Sequence, residues 1–281
     1  MSTVAALAVT NRPHFLGWLT WQIAKQTRKP DEVVIITNAT DLDAYNYDDI
    51  QKRLGVENLI LYKHPPGTPI TLGELRQKGL DLSTSEIFLW FDDDDWYHPQ
   101  RIELSVPPIE SGRYDASIFP ITHTYYVEEK LLFQREGGIG AFLPASAWRA
   151  SLAKKAVFSP VNLGEDGRWI NRIAHPTDGS EPFIQPTRIY CVPDYLTPHV
   201  GCIILVHSRN VWQYRFEPKF AQDGVIPWPK WTPKGVSREE WEYTKKLLDD
   251  LAVTSVANAP IERRADNWGM YDHPALLLPT R

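Results

Sequence analysis

Cysteine is nearly absent. The 281 residues hold two, Cys191 and Cys202, too few and too far apart for a zinc site or a disulfide framework. Both read as core filler, which suits a reducing cytoplasm. A basic excess is missing too: 30 Lys and Arg against 35 Asp and Glu give a net charge of -5 and a pI near 5.9. Such a balance has no general attraction for phosphate backbones or anionic lipid, so a nucleic-acid contact would need a local patch. No eighteen uninterrupted apolar residues occur, which argues against a membrane span and leaves peripheral attachment open. "MSTVAALAVTNRP" has no positive region ahead of its apolar run and reads as a first strand, not a signal peptide. Internal repeats and low-complexity tracts are also lacking.

What is present supports a large core in one or two domains, since 43% of the chain is hydrophobic. Val4 to Val9 is a buried-strand run closed by "TNRP", and "HFLGWLTWQIAKQT" carries Phe15, Leu16, Leu19 and Ile23 at helical spacing. "EVVIIT" predicts a second strand, "DDIQKRLG" a short helix with a glycine stop, and "NLILYKH" a third strand. "TLGELRQKGLDLS" predicts a helix with Leu72, Leu75 and Leu80 inward, and "EIFLWF" a fourth strand. Strands alternating with helices predict an α/β fold with a mainly parallel sheet, whose ligands bind beyond the carboxyl ends of the strands. From Asp115 the rhythm changes. "ASIFPI", "THTYYVEE" and "KLLFQRE" predict short strands, followed by a "GGIGAF" loop, a helix from Pro144 to Leu152 and another opening at Gly164.

Four consecutive aspartates, Asp92 to Asp95, follow the fourth strand in "FLWFDDDDWYHP". Adjacent carboxylates repel, and the end of a buried strand is a costly place for them unless a cation neutralises them. Clustered hard oxygens suit magnesium or manganese, which take one or two carboxylates together with substrate phosphate oxygens. An isolated acidic run is as readily a solvated loop, but the buried strand before it and the aromatic "WYHP" after it favour a packed site.

Six segments, "AVTNRP", "LTWQIAKQTRKPDEVVIITNAT", "LGELRQKGL", "FLWFDDDDWYHPQRI", "GEDGRWINRIA" and "HSRN", occur in an order and at spacings that resemble the family-2 glycosyltransferases of GT-A fold. The resemblance covers residues 4 to 212. It implies a mixed, mainly parallel sheet flanked by helices over 1–212, with a helical and irregular extension over 213–281. It implies Thr10, Asn11 and Arg12 in the nucleotide pocket, Asn38 where the family usually has a base-contacting aspartate, and Arg76 near the nucleotide, with Gln77 replacing the usual asparagine. Asp92 and Asp94 match the Asp-x-Asp carboxylates: Asp94 as the metal contact, Asp92 nearer the ribose or a metal-bound water. Asp93 holds the variable position, and four identical residues leave this register open by one. His207 of "HSRN" resembles a further metal ligand, although a histidine after "CIILV" is as readily structural. In "GED", Asp166 matches the catalytic base, with Glu165 beside it; a carboxylate opening a helix also suits the macrodipole. Trp169 reads as packing under the acceptor and Arg172 as a helix anchor, and residues of both kinds are more often structural than catalytic.

The reaction so implied is inverting transfer of a sugar from a nucleoside-diphosphate sugar, a UDP-sugar first, to an acceptor hydroxyl with Mn2+ or Mg2+. The alternatives are a nucleotidyltransferase, for which "TNRPHF" is a poor phosphate loop, a non-catalytic sugar-nucleotide or glycan-binding protein of the same fold, and a glycoside hydrolase, which needs no metal-binding cluster. The acceptor is a glycan first, then a lipid-linked sugar or a hydroxymethylated DNA base, the last suggested only by the basic "RNVWQYRFEPK". After Tyr214 the Trp- and Pro-rich extension predicts one helix, "SREEWEYTKKLLDDLAV", with Ser237 and Glu240 as a capping box. Its Trp212, Trp228, Trp231, Trp241 and Trp268 read as packing anchors before sugar platforms.

Overall fold

The computed structural model describes residues 1–119, 121–126, 131–136, 143–174, 188–192, 202–206, 225–226, 238, 241–242 and 246. Three continuous apolar runs make its centre: β1 (Val4–Val9), β2 (Glu32–Thr37) and β4 (Ile87–Trp90), with β3 (Asn58–Lys63) outside β2. All four pair in parallel, and β1 lies between β2 and β4. Parallel strands are buried on both faces by their crossover helices, which is why these runs show no polar alternation.

Successive side chains serve two cores. Val4, Ala6 and Ala8 face one together with α1 (Pro13–Ala24), α2 (Tyr47–Leu54) and α4 (Arg101–Glu110). Ala5 and Leu7 face the other with α3 (Leu72–Leu82), α5 (Ala150–Ala153) and α6 (Glu165–Ala174). This is the period of two expected of a strand between helical layers.

The local signals behave as the side chains dictate. Pro13 opens α1, and Asn46 caps α2, which stops at Gly55 with φ 64°. Thr71 and Glu74 form a capping box at the start of α3. Leu75 and Leu80 are buried as expected, whereas Leu72 in the first turn is only half-buried.

The helix expected over Pro144 to Leu152 is corrected. Leu143–Ala145 is a single 3-10 turn, Ser146–Arg149 is strand β9, and only Ala150–Ala153 is helical. β9 runs antiparallel between β4 and β6 (Ala116–Ile118), and β10 (Ile189–Cys191) completes a seven-stranded sheet in the order β10-β6-β9-β4-β1-β2-β3. Its Trp148 and Ala147 are buried, and so short an apolar run has no period to separate strand from helix.

A second sheet holds β12 (Val225–Ile226), β8 (Leu131–Glu136), β7 (Ile121–Tyr126), β11 (Cys202–Val206) and β5 (Trp96–Tyr97), in that order. The four aspartates are the connection between the sheets, leaving the first at β4 and entering the second at β5. Two parts of the segment beyond residue 212 touch this region: β12 pairs with β8, and the buried Trp241 meets Trp96 edge to face at 5.2 Å. Ser237, Glu240, Trp212, Trp228, Trp231 and Trp268 lie outside the described residues, as does the loop from 137 to 142.

At the opposite sheet edge Glu32, 1% exposed, accepts hydrogen bonds from Ser83 Oγ (2.6 Å), Thr84 N (3.0 Å), Thr84 Oγ1 (2.9 Å) and Ser85 Oγ (3.2 Å). Burial raises its pKa, but these donors more than offset that, so it titrates below its ordinary value. A depressed carboxylate contributes stability above its unfolded pKa of about 4.3, and that stability is lost as pH falls through the lower folded value. Glu32→Gln is therefore expected to cost about 1.5–3 kcal/mol in urea denaturation at pH 7. The difference from wild type should shrink as pH falls from 7 to 3; an equal deficit at both pH values would refute the assignment.

Candidate active site

The parallel register brings Thr10, Asn38 and Asp92 to one edge, the carboxyl ends of β1, β2 and β4. Leu7 pairs with Val34 on one side and Trp90 on the other, and Thr10 N donates to Ile36 O at 2.9 Å to extend the ladder. Asn11 is exposed there, and Arg12 and Asn38 are half-buried. Arg76 reaches the same edge from α3, and Glu165 and Asp166 from the first turn of α6.

Two close approaches bring α6 there. Gly73 lies so near the chain at Ser159 that a Cβ on it would stand 1.8 Å from the Ser159 carbonyl oxygen. Its N–H donates to Val161 O at 3.1 Å, and Leu72 N donates to Asn162 Oδ1 at 2.9 Å. Gly164 then turns the chain with φ 71°, a left-handed conformation that favours glycine, and α6 starts at the next residue.

Three kinds of contact hold the acidic loop. Beneath it, Trp18 Nε1 (2.9 Å) and Gln22 Nε2 donate to Asp95 O, while Tyr97 N donates to Gln22 Oε1 at 2.6 Å. Asp92 N donates to the Tyr97 hydroxyl oxygen at 2.7 Å. From β1, Thr10 Oγ1 donates to Asp93 Oδ2 at 2.5 Å. Finally, guanidinium groups meet the carboxylates. Arg12 pairs with Asp93 through Nε (3.2 Å) and Nη2, and with Asp94 Oδ2 through Nη1 at 2.9 Å. Arg76 donates through Nη2 to Asp92 Oδ1 (3.0 Å) and through Nε to Glu165 Oε1 (3.1 Å), its guanidinium 5.1 Å from the Trp90 ring centre. Arg76 thereby ties the acidic loop to the first turn of α6.

Arg101 stands behind the loop, fully buried, its guanidinium 4.5 Å from the ring centres of Phe91 and Tyr97. Its Nη2 donates to Ser146 O at 3.3 Å, while Nε and Nη1 have no hydrogen-bond partner among the described residues. Burial holds its pKa below the ordinary arginine value.

Among the described residues the balance of charge remains negative, six carboxylates, Asp92 to Asp95, Glu165 and Asp166, against Arg12, Arg76 and Arg101. Burial raises Asp93, Glu165 and Asp166 above the usual carboxylate range even though the arginines pull the other way. Arg12 and Arg76 are pushed above their ordinary pKa, because the neighbouring carboxylates outweigh burial. Asp166 is half-buried and its Oδ1 accepts from Gly167 N at 2.7 Å. Among the described residues no three His, Cys, Asp or Glu side chains form a ready metal cage. Asp92 and Asp94 nonetheless suit a hard divalent ion, which needs one or two carboxylates when phosphate oxygens complete its shell.

The expected site residues therefore converge, with distinctions that the sequence did not reveal. Asp93 has both oxygens engaged by Thr10 and Arg12, and Glu165 is turned to Arg76. Trp169 takes a structural place: it is wholly buried, stacked on Phe158 at 4.9 Å and edge-on to Trp148 at 5.2 Å, and packs the core. Arg172 anchors α6 by donating to Val157 O. His207 and the basic stretch 209–219 lie outside the described residues. Trp18, Gln22 and Tyr97 were missed as supports; their one signal is a polar Gln22 on the apolar face of α1, one turn after Trp18.

The sequence profile of Glycosyl transferase family 2 matches residues 5–150, from β1 through the acidic loop to β9. The chain belongs to this family. No curated protein matches it in sequence. Among solved structures it is similar to S. aureus TarS 1-349 in complex with UDP, with 18% identity over 74% of this chain and 61% of that one and a TM-score of 0.55. It is also similar to the mannosyltransferase PcManGT from Pyrobaculum calidifontis in complex with GDP-Man and Mn2+, with 15% identity over 74% and 58% and a TM-score of 0.52. The chain thus spans about 60% of the length of these structures. The shared architecture is the GT-A fold expected above. Among the described residues no helix is long and apolar enough to cross a membrane.

Proposed function

We propose that this glycosyltransferase moves a sugar from a nucleoside-diphosphate sugar to an acceptor hydroxyl with inversion at the anomeric carbon. The observation that carries the reading is the Arg76 bridge, which puts Asp92 and Glu165 on one guanidinium although they are far apart in sequence. Donor-side and acceptor-side carboxylates thereby meet at one sheet edge, with Asp166 next to Glu165. Neighbours of the same fold bind UDP, or GDP-Man and Mn2+, which supports a nucleotide-sugar donor and a divalent ion.

Thr10, Asn11, Arg12 and Asn38 line the nucleotide side of the edge, and Asp93 braces Thr10 and Arg12 there. Asp94 and Asp92, with His207, would hold Mn2+ or Mg2+, which when bound offsets charge on the leaving diphosphate. Asp166 accepts the proton of the acceptor hydroxyl as its oxygen attacks the anomeric carbon from the face opposite the leaving group. Its raised pKa makes it a stronger base than an exposed aspartate. Holding both substrates in line supplies much of the acceleration. The acceptor is a glycan in the first place, and Cys191 and Cys202, which are not joined in a disulfide, suit a cytoplasmic enzyme.

The test is a thermal-shift comparison of UDP, GDP and their sugars, each with and without Mn2+. A ligand that binds the native state raises its Tm by mass action. One nucleotide series should do so, and more strongly with Mn2+. No shift with any of them would overturn the reading in favour of a non-catalytic member of the fold.

A further inference from the structure

We infer that Arg12 is an internal counter-ion that competes with the divalent cation for Asp94, so that the cation binds tightly only once a nucleotide diphosphate is present. This rests on the donor and metal reading above. Arg12 lays its planar guanidinium across two consecutive carboxylates, Nη1 on Asp94 and Nε and Nη2 on Asp93. Arg12 Nη1 holds Asp94 Oδ2, and a guanidinium and a divalent ion on one carboxylate repel each other, so occupancy of Asp94 by the ion works against its pairing with Arg12.

Arg12 and Arg76 differ in their freedom to give way. Arg76 sits in α3 with a side chain 6% exposed, held by Asp92, Glu165 and the face of Trp90. Arg12 also lies over a ring, 4.8 Å from the centre of Phe15, but it is 21% exposed and sits in the short connection between β1 and α1, directly before Pro13, without a side-chain cap to the helix. Its departure would leave the loop supported. Asp93 keeps Thr10, Asp95 O keeps Trp18 and Gln22, and Asp92 N keeps the Tyr97 hydroxyl. The exchange is a local side-chain movement rather than an unfolding. A diphosphate brought to the same edge offers the displaced guanidinium a planar, doubly hydrogen-bonded anionic partner. Cation and nucleotide then favour each other's binding, and linkage makes the coupling reciprocal.

The experiment measures Mn2+ binding by the electron paramagnetic resonance signal of the free ion, for wild type, Arg12→Gln and Arg12→Lys, with and without UDP, or GDP if that nucleotide gave the thermal shift. Arg12→Gln should bind Mn2+ alone at least about fivefold more tightly than wild type, the lower end of ordinary coupling between sites, and the nucleotide should tighten it by a correspondingly smaller factor than it does in wild type. Arg12→Lys, a point charge that cannot span both carboxylates, should fall between them, and it decides the matter if Arg12→Gln fails to fold. Equal Mn2+ affinity in wild type and both variants, with nucleotide tightening all three, would overturn the competition and leave the donor reading intact. No Mn2+ binding to wild type even with nucleotide would overturn the donor reading, and the inference with it.

Discussion

Asp166→Asn is expected to lower the turnover number by about 10²- to 10⁴-fold, the usual worth of a positioned general base, while the donor KM changes little. The substitution is nearly isosteric. An asparagine Oδ1 can still accept from Gly167 N, so the start of α6 keeps its hydrogen bond. What disappears is the ability to take a proton, at a position where burial has raised the carboxylate pKa and Arg76 and Asp92 act in opposite directions on it. Glu165 does not replace it, because its Oε1 is held by Arg76 at 3.1 Å. The loss of charge also removes a favourable interaction with the helix N-terminus worth about 0.3–1 kcal/mol, too little to unfold the domain. Steady-state kinetics with saturating acceptor checks this. Turnover above a tenth of wild type would remove Asp166 from the base role, and a parallel rise in donor KM would place it in ground-state binding.

Sequence reasoning succeeded where one signal sufficed. β1 and β2 are continuous apolar runs closed by polar residues, and their bounds were readable to the residue because both faces of a parallel strand are buried. α2 carried its glycine stop in plain view. The α3 capping box was legible in "TLGE" and was overlooked in favour of the leucine spacing. α4 was hidden by Pro107 and Pro108, which the helix tolerates in its last turn. β9 failed for a different reason. Ser146–Arg149 is a strand because β4 and β6 offer it hydrogen-bonding edges, a tertiary fact absent from four residues.

The site shows the same division. Resemblance placed the aspartates, Arg12, Arg76 and "GED" at one edge, but not their mutual pairing. The acidic run was expected to need a divalent ion; two arginines already take the first share of its charge. No spacing rule links Arg76 to Glu165, which only the approach of Gly73 to Ser159 brings together. Trp169 was legible only as structural in kind; the three rings of the α6-side core around it, Phe88, Trp148 and Phe158, come from distant segments that no local pattern names.

Arg76→Met should be the most destabilising single change at the site, costing about 3–5 kcal/mol, because it strands buried carboxylates and leaves methionine to fill the space over Trp90. Glu165 bears most of this. Its side chain is 5% exposed and loses its guanidinium, whereas Asp92, at 25%, recovers part of its loss from water. The sign of the pH dependence follows. Without Arg76, burial dominates at Glu165 and lifts its pKa further, so the variant's deficit is full at neutral pH and shrinks as acid protonates the side chain. Urea denaturation at pH 7 and pH 5 should show a lower midpoint at unchanged slope, with the smaller deficit at pH 5. Adding Glu165→Gln to Arg76→Met should recover stability, since a neutral amide needs no counter-charge, and the non-additivity measures the coupling of the pair. A deficit below about 1 kcal/mol, the range of an exposed ion pair, would mean that Arg76 is not the buried link between loop and helix.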